Sequence, residues 1–284
     1  MMKPPTQAVE RLVMMALEED APQGDLTSQT VLPADAVIAA ELVAREDGVL
    51  CGEDVFTAAM KLTGAIDVSF AVHDGEHFHA GALLATVNGP ARAVLQAERV
   101  ALNFVQRLSG IATMTAKFVE AAAGTKARIV DTRKTTPGLR ILERYAVRCG
   151  GAGNHRYSLS DAVMVKDNHL AVLAASGKSL ADALREARGQ LPHTMSIEVE
   201  VDCLDQIDEV LAAGADTILL DNFSLDDLRA GVLQIAGRAL IEASGGVSLE
   251  RVREIAATGV DLISVGALTH GVRSLDLGLD MRSL

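Results

Sequence analysis

Read for its spacing of apolar and polar positions, the chain changes character once, near Gly124. Before that point, Gln7 to Glu19 carries apolar residues at helical spacing, and the loop EDAPQGDLTS follows. Three segments then read as short β-structure: AVIAAELVARE, AIDVSFAVHDGEHF and ALLATVNGPARAVL. Turn signals such as Asp74-Gly75 and Asn88-Gly89-Pro90 punctuate them, so a small antiparallel sheet is expected. Helical spacing returns over Ala93 to Glu120, with Ser109-Gly110 as the expected break.

Beyond Gly124 the pattern becomes rhythmic. Short apolar runs end in polar residues or glycine: ARIVDTR, DAVMVKD, SIEVEVD, DTILLDN, ALIEASGG and DLISVGAL. Amphipathic stretches lie among them at Leu180–Arg188, Leu204–Ala213, Ser224–Ile235 and Leu249–Thr258. Strands alternating with helices imply right-handed βαβ units and a parallel sheet. Chemistry-bearing residues at the strand C-termini favour a closed TIM-like barrel over a doubly wound sheet, whose G-x-G-x-x-G is missing after the first strand. The expected division is an N-terminal α+β domain over 1–113, an α/β barrel over 114–270, and a tail, 271–284, packing back on the N-terminal domain.

Composition narrows the partners. The 284 residues are 49% hydrophobic and 23% charged, with 3% aromatic residues and no Trp, so the core must be aliphatic. A net charge of −12 and a pI near 5.0 argue against nucleic acid and acidic membranes as partners. No apolar run approaches spanning length, and the scattered cysteines, Cys51, Cys149 and Cys203, fit a reduced cytoplasmic setting.

Charge is not spread evenly, however. From Lys126 to Lys166 nine basic residues stand against three acids, a focused positive region in an acidic protein. Arg140, Glu143, Arg144 and Arg148 sit at helical spacing and read as a solvated face. Arg133 and Lys134 stand side by side at a strand end, Lys166 ends the next strand, and His155 and Arg156 follow a glycine-rich stretch that suits a clamp on an anion. In SIEVEVD, strand parity points Glu198, Glu200 and Asp202 one way, and Asp221 ends the neighbouring strand. Glu200 and Asp221 could hold Mg²⁺ through water, accept from sugar hydroxyls, or stabilise a developing cation. Ser244-Gly245-Gly246 and Gly266, at the last two strand ends, suit a phosphate. Neither the triplet His73, His77 and His79 nor Cys149 with His155 has the spacing of a metal or thiol site. These residues together point to a phosphorylated, polyanionic substrate handled by positioning and electrostatics. A Schiff base at Lys166 and a non-catalytic nucleotide-binding barrel remain alternatives.

The stretch DTRKTTPGLRILERYAVRCGGAGNHRYSLSDAVMVKDNHL resembles the signature region of the quinolinate phosphoribosyltransferases, also called carboxylating nicotinate-nucleotide pyrophosphorylases. EDAPQGDLTS, AERVALNFVQRLSGIAT, IEVEVD, ILLDN, EASGG and SVGALTH extend the likeness in order along nearly the whole chain. The resemblance implies an incomplete TIM-like barrel behind an N-terminal sandwich-like α+β domain. It implies transfer from phosphoribosyl pyrophosphate to quinolinate with Mg²⁺, giving nicotinate mononucleotide, pyrophosphate and CO2 in de novo NAD biosynthesis. Arg133, His155, Arg156 and Lys166 would grip the quinolinate carboxylates, and Lys134 and Lys166 would face the phosphoribosyl donor. Glu200 and Asp221 would serve the ribose and metal, and Ser244, Gly245, Gly246 and Gly266 the 5′-phosphate. Arg99 would reach the site from a partner subunit of a homodimer. Lys134, Lys166, Glu200 and Asp221 are the expected catalytic residues.

Overall fold

The computed structural model describes residues 2–282. Helices α1 (Thr6–Asp20) and α2 (Leu26–Val31) precede strands β1 (Val37–Ala44) and β2 (Gly48–Val49). Helix α3 (Glu53–Thr63), strands β3 (Asp67–Phe70), β4 (His77–Phe78) and β5 (Leu83–Pro90), and helix α4 (Ala91–Ala121) follow. The alternating part runs β6 (Arg128–Val130), α5 (Arg140–Cys149), β7 (Val163–Val165), α6 (Asp167–Ser176), α7 (Leu180–Gln190) and β8 (Ile197–Val201). It continues α8 (Ile207–Ala212), β9 (Thr217–Asp221), α9 (Leu225–Ile235), β10 (Leu240–Ser244), α10 (Val252–Ala256), β11 (Leu262–Ser264) and α11 (Ala267–His270), and β12 (Leu277–Met281) comes last.

The chain forms two compact units that do not follow contiguous stretches of sequence. One gathers residues up to Ala116, Thr135–Gly151 and residues from Leu268 onward; the other holds Lys117–Lys134 and Ala152–Ala267. The basic stretch is thereby divided, since Arg140, Arg144 and Arg148 belong to the first unit and the remaining cations to the second.

In the first unit an antiparallel sheet orders β12-β1-β5-β3. Along β1, Ala40, Leu42 and Ala44 are buried while the intervening positions are not, the period-two pattern of a sheet covered on one face. The tail contributes β12 to this sheet, with Leu42 opposite Leu279. Helix α4 runs through Ser109-Gly110 without the expected break. Both residues serve contacts instead. The buried Ser109 hydroxyl donates to the Cys51 carbonyl and accepts from the Cys51 amide, at 3.2 and 3.0 Å. A Cβ on Gly110 would lie 2.3 Å from the Arg273 carbonyl oxygen, so glycine here permits close backbone approach. The solvated-face reading of α5 is likewise corrected: Glu143 is fully buried, accepting from Arg107 at 2.9 Å and from the Thr136 hydroxyl at 2.7 Å.

In the second unit six parallel strands order β6-β11-β10-β9-β8-β7. That is the cyclic order of a barrel opened between its first two strands: the rhythm alone favours closure, and the order observed is the incomplete TIM-like barrel that the resemblance implies. A single bridge, Val130 with Gly153, extends β6 at the open seam. One set of alternate side chains, including Ile197, Val199, Ile218, Leu220, Ile241 and Ile263, forms the aliphatic core. The other set turns inward and lines two cavities, one toward each end of the strands.

Candidate active site

The cavity at the C-terminal strand ends has a volume of about 470 Å³. Thr132, Arg133 and Lys134 reach it beyond β6, and Lys166 beyond β7. Glu200 comes from β8, Asp221 from β9 and Ser244 from β10. His155, Arg156 and Glu242 form part of its wall. Eleven of the twelve residues expected at the site thus belong to the second unit, and eight of these line this cavity. The other three, Gly245, Gly246 and Gly266, follow β10 and β11 without lining it. Arg99 is an exposed residue of α4 in the first unit and lines no part of this cavity.

The geometry assigns the charges differently from the sequence. The Lys166 ammonium pairs with Glu200 across the β7–β8 strand ends. Asp221 accepts from the Asn222 side chain at 2.7 Å. Asn222 takes a positive φ of 58°, and a Cβ on Gly245 would lie 2.1 Å from its side-chain oxygen, so glycine is required beside it. No helix begins directly after Gly245 and Gly246, since α10 starts at Val252, whereas α11 starts at Ala267, immediately after Gly266. Asp202 lies past the end of β8 and is exposed, its amide donating to Gln206 at 2.9 Å, whereas Glu198 and Glu200 do point inward. Arg133 and Arg156 line the same cavity, and burial, then repulsion from Arg133, holds the Arg156 guanidinium below its ordinary pKa. A pair of guanidinium groups facing one cavity suits a ligand with more than one anionic group.

The glycine-rich segment is fastened, where its sequence suggests a loose clamp. Gly153 donates to the Ile129 carbonyl at 2.9 Å. The Asp131 carboxylate, fully buried, accepts from the Asn154 side chain and the His155 amide, both at 2.7 Å. His155 Nδ1 accepts the Arg156 amide at 2.7 Å, and Nε2 lies 3.1 Å from Glu198 and 3.5 Å from Glu242. Glu198 and Glu242 are the residues whose weight the sequence understates. Parity places both on the inward face, but their meeting with His155 depends on how the strands are ordered. Burial, reinforced by Glu198, pushes the Glu242 carboxyl up to about 7. Burial opposes charge on His155, while Glu198 and Glu242 raise its pKa; the Arg156 amide at Nδ1 works against a second ring proton.

Two side-chain groups among the described residues have metal-like composition. In His155, Glu198 and Glu242, ligation by Nε2 would require its proton to move to Nδ1, where the Arg156 amide already points, so a hydrogen-bonded network fits better. In Cys51, Asp74 and Cys149, the aspartate already accepts from two backbone amides and from Tyr145, and burial pushes the Cys51 thiol well up. Glu200 and Asp221 instead offer carboxylate oxygens at the cavity mouth, the donor type Mg²⁺ takes alongside water and phosphate oxygens.

The second cavity, about 530 Å³, lies toward the N-terminal strand ends and is lined by Arg128, Ser196, Asp216, Thr217 and Leu240 among others. It shares His155, Arg156 and Glu242 with the first, so these residues form a partition between the two.

Comparison with known proteins agrees along the chain. Residues 25–109 match the N-terminal domain and residues 111–280 the C-terminal domain of quinolinate phosphoribosyl transferase. A carboxylating nicotinate-nucleotide pyrophosphorylase from Mycobacterium leprae is 46% identical over 281 residues, covering 96% of this chain and 97% of that protein. A probable counterpart from Bacillus subtilis is 44% identical, covering 93% and 90%. The solved nicotinate-nucleotide pyrophosphorylase of Francisella tularensis superposes with a TM-score of 0.91 at 39% identity, covering 99% of this chain and 98% of that one. The chain belongs to the quinolinate phosphoribosyl transferase family.

Proposed function

We infer that this protein transfers the phosphoribosyl group of phosphoribosyl pyrophosphate to quinolinate and decarboxylates the product. The products are nicotinate mononucleotide, pyrophosphate and CO2, which makes it a pentosyltransferase of de novo NAD biosynthesis. The observation that carries the reading is the convergence of Arg133, Lys134, Arg156 and Lys166 with Glu200 and Asp221 in one cavity of a family member. The cations match a base with two carboxylates and a sugar with three phosphate positions. The carboxylates match the positive charge that develops on the ribose as its bond to pyrophosphate breaks.

In this reading Arg133 and Arg156 hold the quinolinate carboxylates as planar forks, with His155 and Lys166 beside them. Lys134 and Lys166 face the phosphoribosyl donor. Lys166 is shared with Glu200, so substrate binding redistributes an existing ion pair rather than adding an isolated charge. Glu200 and Asp221 accept from the ribose hydroxyls and would hold Mg²⁺ through water. Bound there, Mg²⁺ would help neutralise the departing pyrophosphate. Ser244, Gly245, Gly246 and Gly266 receive the 5′-phosphate at the ends of β10 and β11. The quinolinate ring nitrogen attacks C1 of the ribose as the pyrophosphate leaves. The ring, now positively charged at nitrogen, accepts the electron pair of the adjacent C–CO2 bond, and a proton replaces the CO2.

A homodimer belongs to the same proposal, with Arg99 of one subunit completing the cavity of the other, in a cytoplasmic setting. Among the described residues, no helix is long and apolar enough to cross a membrane.

The test is turnover of purified protein with quinolinate, phosphoribosyl pyrophosphate and Mg²⁺, following CO2 and pyrophosphate together. Equimolar release is expected, with little reaction when nicotinate replaces quinolinate. No turnover of quinolinate, or a preference for nicotinate, would overturn the reading. Borohydride trapping of a covalent adduct at Lys166 would instead favour Schiff-base chemistry.

A further inference from the structure

Two nearly buried glutamates in a barrel interior call for a reason. Such positions ordinarily hold aliphatic side chains, and burying a carboxylate is costly unless it is paired. Glu198 is 7% exposed and Glu242 1%, and Oε1 of each has no hydrogen-bond partner. The two approach His155 from β8 and β10, respectively, at 3.1 and 3.5 Å from Nε2. They are not strand-tying groups: the strand starts are tied by other acids, Asp216 to the Ile197 amide and Asp261 to the Ile241 amide.

We propose that Glu198 and Glu242 are positioning residues for recognition of the aromatic dicarboxylate, acting through the His155 ring, which holds the backbone amide of Arg156. The proposal rests on the activity inferred above and deepens it. His155 then works through Arg156 rather than by gripping a carboxylate itself.

The chain of contacts is continuous. Glu198 accepts at Nε2, which selects the imidazole tautomer whose Nδ1 is an acceptor, and Nδ1 takes the Arg156 amide at 2.7 Å. Asp131 holds the same segment from the β6 side through Asn154 and the His155 amide. Downstream, the Arg156 guanidinium donates to the Ala162 carbonyl at 3.1 Å and reaches the Met164 sulfur at 3.5 Å. Arg156 is therefore fixed at its backbone and along its guanidinium while Arg133 repels it. Small losses of orientation matter for such a fork, because bidentate binding depends on the plane of the guanidinium. Glu242 supports Glu198 from β10 across the same ring nitrogen, and burial, then Glu198, pushes its own carboxyl up to about 7. The charged groups facing the ring are Glu198, Glu242 and Arg156, with Asp131 holding its backbone.

Steady-state kinetics on the full-length protein test this with two substrates varied separately. In Glu198→Ala the KM for quinolinate should rise about 10- to 100-fold, the size of a lost hydrogen bond to a charged group, while that for phosphoribosyl pyrophosphate stays within about 2-fold. Glu198→Gln retains an acceptor oxygen for Nε2 and should recover most of the loss. An equal rise for both substrates, or none for either, would overturn the proposal. Nitrogen NMR of the His155 ring, assigned by its disappearance in His155→Asn, gives a readout free of turnover. It should report the neutral Nε2–H tautomer at pH 7.5 in the wild type and its loss in Glu198→Ala, or in Glu242→Ala if the first variant does not fold. An Nδ1–H or doubly protonated ring in the wild type would contradict the proposal even if quinolinate is turned over. Absence of quinolinate turnover with the expected tautomer would instead count against the activity.

Discussion

The two ends of the six-stranded sheet use charged residues in opposite ways. At the N-terminal strand ends, acids are engaged with the fold: Asp216 accepts the Ile197 amide at 2.6 Å and pairs with Arg188, and Asp261 accepts the Ile241 amide at 3.0 Å and pairs with Lys126. At the C-terminal ends, Arg133, Lys134, Arg156 and Lys166 crowd one cavity with Glu200 and Asp221, and like charges face each other. The same βαβ repeat thus ties acids into the fold at one end and gathers cations and carboxylates round a cavity at the other, where the proposed reaction is placed. Between them, His155, Arg156 and Glu242 belong to both cavities, which is why acids outside the reaction can govern a residue inside it.

Substitutions can break this contrast, and the largest effects should fall at the chemical end. Arg133→Ala and Lys166→Ala should each lower kcat/KM about 100- to 1,000-fold, as removal of a preorganised charge does, with the melting temperature unchanged or raised. A parallel fall in both measurements would assign those residues to the fold instead. Next in size is the subunit test. Arg99→Ala and Arg133→Ala proteins, each nearly inactive, should on mixing recover about a quarter of the sites if Arg99 acts in trans and subunits exchange at random. No recovery despite demonstrated exchange would place Arg99 outside the site.

A third comparison concerns the partition. The Glu242 carboxyl titrates at about 7 in the folded protein against an ordinary value of 4.5. Its folded-state pKa is raised, so its contribution is full below about pH 4.5 and is lost as pH rises toward 7. Glu242→Gln removes that loss: relative to wild type, the variant should gain up to about 3 kcal/mol between pH 5 and pH 8 in denaturant unfolding. A constant difference across that range would mean that Glu242 is not protonated in the folded state. The smallest effect is expected at the structural end, where Asp216→Ala should cost about 1 kcal/mol of stability and leave both KM values alone.

Much of this was legible in the sequence where local pattern and long-range structure agree. Apolar runs ending in Lys166, Asp221 or Ser244 became strands with those residues at their C-terminal ends, because strand parity and βαβ handedness leave few alternatives. Parity also turned Glu198 and Glu200 inward together. What could not be read depends on distant partners. Ser109-Gly110 has the composition of a helix stop, yet Cys51 and Arg273 account for both residues within an unbroken helix. Glu143 sits among arginines like a solvated residue, yet Arg107, thirty-six positions away, and Thr136 satisfy its carboxylate in the interior. The open seam is not in the apolar rhythm either, since six similar strands do not reveal whether the first and second will pair; only the family resemblance implies an incomplete barrel. Glu242 lies between apolar neighbours, Ile241 and Ala243, and its significance arises from meeting His155 and Glu198.

A structure of the protein with quinolinate bound would distinguish the two ends in one experiment. The ligand should occupy the cavity at the C-terminal strand ends, its carboxylates on Arg133 and Arg156. Quinolinate seated in the opposite cavity, against Arg128 and Asp216, would contradict the division of labour between the two ends.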